Sequence, residues 1–252
     1  YHRKLFAMDP TRGDEAQLAA FNDVENREVL FRAVDGKRLR GWLFKHPTSK
    51  RVWLYSIGRS SDIPKNLEYV RMLLESGASV FVYEYRGFGQ SEGQPSVRRI
   101  CQDGLSAYDC LTRQLGYTAD QIVFYGESLG GSVATYVCAR RRAAGIVLQS
   151  TFASLERIAK EMVPALKVYP RAMFPRPLLD TAQTLQGQHP PLLIMHGVLD
   201  NVIPLHHSLL IFGAASEPKQ VVHLKHSLHT KINITDREEF VHALSSHLAS
   251  LG

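Results

Sequence analysis

Short runs of Val, Ile, Leu, Phe and Tyr recur along this chain, separated by longer stretches in which apolar residues follow a helical period, and this alternation limits the fold more than any other feature. Val52-Trp53-Leu54-Tyr55 is one such run; a helix is expected from near Pro64, with Leu67, Val70, Leu73 and Leu74 on one face and Gly77 as its stop. Val80 to Tyr83 reads as the next strand, a helix from about Val97 to Leu115 follows, and Ile122 to Tyr125 is the strand after it. Strands at Ile146 to Leu148, Leu192 to Met195 and Val221 to Leu224 continue the pattern, and Phe240, Val241, Leu244 and Leu248 mark a closing amphipathic helix. A near-continuous apolar strand has no polar side to show to water, so such strands separated by helices imply an α/β architecture, a mostly parallel sheet with helices on both faces. Arg27 to Val34 and Arg38 to Phe44, joined across Asp35-Gly36, read as antiparallel strands at one N-terminal edge.

The chain has 252 residues, within reach of a single large domain, here taken as 1–252. Residues 150–191 are rich in proline and lack a clear strand, which is too long for a plain connection; a small cap or lid insertion is expected there. Cys101, Cys110 and Cys138 are odd in number and have no CxxC spacing, which rules out a disulfide framework and leaves room for one bridge. The net charge of +6 is modest and dispersed apart from Arg140-Arg141-Arg142, which reads as a solvated helix end, so nucleic acid is not an expected partner. No run of about 18 apolar residues occurs to span a membrane.

Gly-x-Ser-x-Gly occurs twice, at Gly126-Glu127-Ser128-Leu129-Gly130 and at Gly89-Gln90-Ser91-Glu92-Gly93. A chain of this length carries it by chance about one time in ten, so context decides. The motif works as a strand-to-helix elbow that projects a serine above the sheet in strained backbone geometry. Ser128 follows a strand and precedes a small-residue helix start, which marks it as a candidate nucleophile; Ser91 sits in a glycine- and glutamine-rich loop and reads as a turn residue. A serine hydroxyl needs a base and a carboxylate to orient that base. Asp200 lies in His196-Gly197-Val198-Leu199-Asp200, leaving the carboxyl end of a strand, where ligands bind in open α/β sheets. The base comes from eleven histidines: His229, after the last strand, completes the order Ser, Asp, His, and His226 is its nearest rival. His223, His226 and His229 recur every third residue, yet a strand-to-loop segment does not aim such residues one way and no metal site is expected. His206, His207 and His242 read as surface or packing histidines.

These residues together resemble a serine hydrolase of the α/β-hydrolase fold, similar to the branch of depalmitoylating hydrolases and bacterial bud-emergence-protein-like relatives, over about Val29 to Leu248. Tyr85-Arg86-Gly87-Phe88-Gly89-Gln90-Ser91-Glu92-Gly93-Gln94-Pro95 resembles a structural loop of this branch, with Glu84 where the branch usually has Asp. The resemblance implies Ser128 as nucleophile, Asp200 as acid and His229 as base. It also implies an oxyanion hole from the backbone N–H groups of Arg59 and Leu129, and no cofactor. One departure stands out: Ser56-Ile57-Gly58-Arg59 replaces the branch's His-Gly-Asn, and the Arg59 guanidinium is expected either to face solvent or Asp62, or to meet an anionic substrate group at the pocket rim. The expected activity is hydrolysis of a carboxylic ester or thioester on a small acyl ester or acylated substrate. A serine peptidase and a non-catalytic binding protein are the alternatives. Tyr1-His2-Arg3-Lys4-Leu5-Phe6 resembles the segment after an N-terminal hydrophobic anchor in these relatives, so membrane tethering or export is expected, with a cytoplasmic location as the alternative.

Overall fold

The computed structural model describes residues 16–19, 21, 23–59, 61–229 and 232–252. The segment Tyr1 to Phe6, on which the tethering expectation rests, lies outside them, and no helix among the described residues is long and apolar enough to cross a membrane. Eight strands among these residues form one sheet: β1 (Asn26–Arg32), β2 (Arg38–Phe44), β3 (Val52–Ser56), β4 (Ser79–Tyr83), β5 (Ile122–Glu127), β6 (Gly145–Gln149), β7 (Leu192–Gly197) and β8 (Lys219–Leu224), in the order β1-β2-β4-β3-β5-β6-β7-β8. β1 and β2 are antiparallel, to each other and to β4, and every pairing from β4 through β8 is parallel. The expected α/β-hydrolase architecture, with antiparallel strands at one edge, is the one observed.

The hairpin differs in one detail. The Gly36 N–H donates to Ala33 O and the Ala33 N–H to Lys37 O, and Gly36 alone of the turn residues has positive φ, at 80°. The connection is therefore a three-residue loop with a glycine bulge, and β1 stops at Arg32 rather than running to Val34. Helices α1 (Leu67–Glu75), α2 (Val97–Asp109) and α3 (Leu129–Cys138) follow β3, β4 and β5. The periodic stretch ending at Leu115 leaves α-geometry after Asp109 and finishes in a π-turn over Cys110–Gln114. In the 150–191 stretch lie α4 (Leu155–Met162), two 3₁₀ turns and a short helix at Thr181–Thr184. The reading of the sequence did not anticipate α5 (His206–Ala214), which carries apolar residues nearly all round and so shows little helical period. α6 (Arg237–Ser250) closes the chain and packs beside α1, while α2 packs beside α3.

Aromatic side chains fill the centre. Trp53, Tyr55, Phe81, Phe124, Tyr125 and Phe240 are buried, and the Tyr55 and Tyr125 rings meet edge to face at 4.9 Å. Parallel pairing places the carboxyl ends of β3, β5, β6, β7 and β8 along one rim of the sheet. In particular Ser56 lies opposite Gly126, so the turn after β3 is set directly beside the start of the elbow. The three cysteines are unpaired.

Candidate active site

Ser128 leaves β5 and opens α3 with φ 55° and ψ −119°, outside the regions an L-residue prefers. Neighbouring contacts hold it there: the Ser128 N–H donates to Gln149 O at 2.9 Å, and the Gly131 N–H donates back to Ser128 O at 3.1 Å. The flanking glycines have a steric cause. A Cβ on Gly126 would run into the Gly130 carbonyl, and one on Gly130 would overlap the Ser56 carbonyl of β3, so the elbow closes only with hydrogen at both places.

The loops after β7 and β8 bring Asp200 and His229 to this serine. His229 Nε2 lies 3.2 Å from Ser128 Oγ, and Nδ1 lies 2.7 Å from Asp200 Oδ2. A carboxylate can only accept, so Nδ1 carries the hydrogen and Nε2 offers its lone pair to the serine hydroxyl. Asp200 Oδ1 accepts the N–H groups of Val202 (2.9 Å) and Ile203 (2.8 Å), which turns Oδ2 toward His229. Burial alone would raise the proton affinity of Asp200, but the His229 contact and these N–H donors outweigh it and hold the carboxyl below its ordinary value. Buried His196, at the end of β7, donates Nε2–H to Ile203 O at 2.7 Å and so steadies the same loop. That positioning role was not visible in the sequence.

The rival histidines fall elsewhere. The His226 side chain is exposed, and its backbone N–H donates to Asp236 Oδ2 at 3.0 Å. His207, by contrast, is fully buried: the Ala153 N–H donates to Nδ1 at 3.1 Å, so Nε2 carries the hydrogen and donates to Glu161 Oε2 at 2.9 Å. His206 Nε2 reaches the other Glu161 oxygen at 3.2 Å. Glu161, His206 and His207 have metal-ligand spacing, yet the tautomer of His207 makes them a hydrogen-bonded clamp between α4 and α5.

The second Gly-x-Ser-x-Gly segment is bound up in structure. The Ser91 hydroxyl donates to Glu84 O at 2.9 Å and accepts the Arg40 N–H at 2.9 Å. Gly89, with φ 46°, packs on the Glu84 carboxyl, where any Cβ would overlap it. Glu84 accepts N–H groups from Ile63 (3.2 Å) and Gln90 (2.8 Å); burial nevertheless pushes its carboxyl up to about 7. Replacing Ser91 with Ala would leave the buried Arg40 N–H unsatisfied, at a cost of about 1–3 kcal/mol. Denaturant titration is expected to show that loss, with turnover per folded molecule unchanged.

A cavity of about 610 Å³ opens beside Ser128 and His229. Phe152, Leu155, Ile158, Met162 and Val163 contribute an apolar wall; Gly58, Arg59, Lys65, Asn66 and Glu127 also line the cavity. The expected oxyanion donors, Arg59 and Leu129, both border this cavity, and the Arg59 side chain is exposed. Glu127 is nine-tenths covered, and its carboxyl joins the site although no sequence argument singled it out; the signal was an acid inside the motif itself.

A family described as serine aminopeptidase, S33, matches residues 50–180. An uncharacterized protein of Mycobacterium tuberculosis is 32% identical over 201 residues, spanning 78% of this chain and 69% of its own. Alpha/beta hydrolase domain-containing protein 17B of Xenopus laevis is 26% identical over 189 residues, spanning 75% and 63% respectively. Among solved structures, the Pyrococcus furiosus esterase Pf2001 shares the fold with a TM-score of 0.79 at 16% identity, covering 97% of each chain.

Proposed function

The chain belongs to the serine aminopeptidase S33 family of α/β hydrolases, and from that premise we propose that it cleaves a carboxylic ester or thioester through an acyl-enzyme on Ser128. The observation that carries this reading is the unbroken relay from Ser128 Oγ through His229 to Asp200, opening onto a cavity with an apolar wall.

His229 Nε2 takes the hydroxyl proton as Oγ bonds to the acyl carbon, and the carbonyl electron pair moves onto oxygen. The N–H groups of Leu129, at the start of α3, and of Arg59, after β3, are assigned to that oxyanion. His229 then returns the proton to the leaving oxygen or sulfur. Water enters, loses a proton to His229 and attacks the acyl-enzyme; the carboxylic acid departs and Ser128 regains its hydrogen. These steps call on no cofactor. The wall that Phe152, α4 and Val163 build suits the hydrocarbon part of the acyl group, which supports reading residues 150–191 as a cap. Several of the solved structures that share this fold are esterases.

Amide cleavage is a second reading, favoured by the description of the matching family. Fluorophosphonate labelling tests both, since each needs the serine. One adduct, at Ser128 and lost in Ser128→Ala, is expected; folded protein that fails to label would point to a non-catalytic binding role. Matched acyl esters and amino-acid anilides then separate the two substrate classes.

A further inference from the structure

Hydrogen counting around Glu127 assigns a proton to its side chain. The Tyr55 hydroxyl, at the end of β3, lies 2.9 Å from Glu127 Oε2 and 2.9 Å from Asn66 Oδ1. The orientation of Asn66 is not free: its Nδ2 reaches Asp62 O at 2.7 Å, and a carbonyl only accepts, so Oδ1 must face Tyr55. One phenolic hydrogen thus faces two acceptors. If Glu127 were ionised, one of these two contacts would set lone pair against lone pair. A carboxylic acid resolves the conflict, with Glu127 donating to the Tyr55 oxygen while Tyr55 donates to Asn66.

The surroundings agree. Among the described residues no lysine or arginine forms an ion pair with Glu127 and no backbone N–H donates to it, in contrast to Glu84 with its two N–H donors. The groups facing it are Tyr55 from β3, Tyr69 from α1, Tyr125 from β5, and His229 and Asp200 from the two later loops. Burial pushes the carboxyl proton affinity up, and Asp200 adds to this; a protonated His229 opposes it, and Tyr55 would oppose it only by donating the hydrogen that Asn66 already takes.

We propose that Glu127 is held as a neutral acid and that its proton fastens the turn after β3 to the elbow. The links run from the elbow through Tyr55 to Asn66, which also holds Ser61 Oγ and Asp62 O, and so encloses Gly58 and Arg59. Glu127 borders that turn closely, for a Cβ on Gly58 would stand 3.4 Å from Oε1. The buried Ile57 in this turn offers no side-chain hydrogen bond, so the acid, tyrosine and asparagine supply the polar ties there. Neutrality also keeps a second negative charge away from the oxyanion and leaves no anion on this wall for a substrate ammonium. That favours an ester or thioester over a peptide N-terminus. The protonation stands whatever the enzyme cleaves; its effect on turnover rests on the acyl-enzyme reading.

Glu127 is a positioning residue, and two measurements test it. An infrared difference spectrum of wild type against Glu127→Gln at neutral pH is expected to show a protonated-carboxyl band in wild type that shifts in D2O. Absence of that band overturns the assignment even if no substrate has been found. In turnover, Glu127→Ala is expected to lose about tenfold or more as the turn loosens, and Glu127→Gln, whose amide N–H can replace the acid's hydrogen, to regain most of it. Wild type should lose activity at alkaline pH as the acid ionises, and the Gln variant should lack that limb. A Gln variant as impaired as Ala, or one that keeps the alkaline limb, would show that the proton does not hold the turn.

Discussion

His229→Ala is expected to lower kcat toward an activated short-chain ester by at least about 10⁴-fold, with Ser128→Ala as damaging and the double variant no worse than either. The three side chains act as one relay, so removing any link removes most of what the relay supplies, and what remains comes from the oxyanion donors and binding. His229 Nε2, 3.2 Å from Ser128 Oγ, is the base positioned to take the hydroxyl proton. Folding should survive, since among the described residues the ring's hydrogen bonds go to Asp200 and Ser128. His226→Ala is the control: its side chain is exposed and turnover should not change. Loss of activity in His226→Ala with His229→Ala active would overturn the assignment of the base.

The largest expected effect on stability lies away from the cavity. Arg86, 1% exposed, follows β4 and grips Asp103 of α2 with Nη2 at 2.6 Å and Nε at 3.0 Å from Oδ1, while its own N–H donates to Asp103 Oδ2 at 3.0 Å. A further bond, Nη1 to Asp35 Oδ2 at 2.7 Å, ties the same guanidinium to the β1–β2 hairpin. Asp103→Ala leaves a buried cation and a buried N–H short of a partner, and breaking such a pair costs about 3–5 kcal/mol. Asp35 is half exposed and still holds one corner of the guanidinium, so the lower half of that range is expected. Chemical denaturation checks it. The double variant Arg86→Met/Asp103→Leu should be less damaged than the sum of its single changes, because removing both charges leaves neither orphaned. Strict additivity would mean that the pair contributes no coupling.

Much of this molecule is written in local patterns. Apolar runs with no polar side predicted a parallel sheet covered on both faces, because period and turn chemistry act over a few residues. The elbow was equally legible: a strand, Gly126, Ser128 and Gly130, then small residues, as the close approach of β3 to the start of α3 requires. Ser91, in the same five-residue pattern, was separated from Ser128 by its flanks alone, and its hydroxyl is indeed consumed by Arg40 and Glu84. Other features depended on residues meeting from far along the chain. The choice of His229 over His226 rests on a contact spanning 101 residues, which no periodicity encodes. The proton on Glu127 depends on Tyr55, 72 residues away, and on which way Asn66 is turned, and the apolar wall exists only because α4 folds over the carboxyl ends of the strands. Sequence determined most of the elements and their order along the chain because their causes are local, α5 with its weak period excepted; register, burial and the count of hydrogens around a buried oxygen belong to the tertiary structure, where distant side chains share one low-dielectric space.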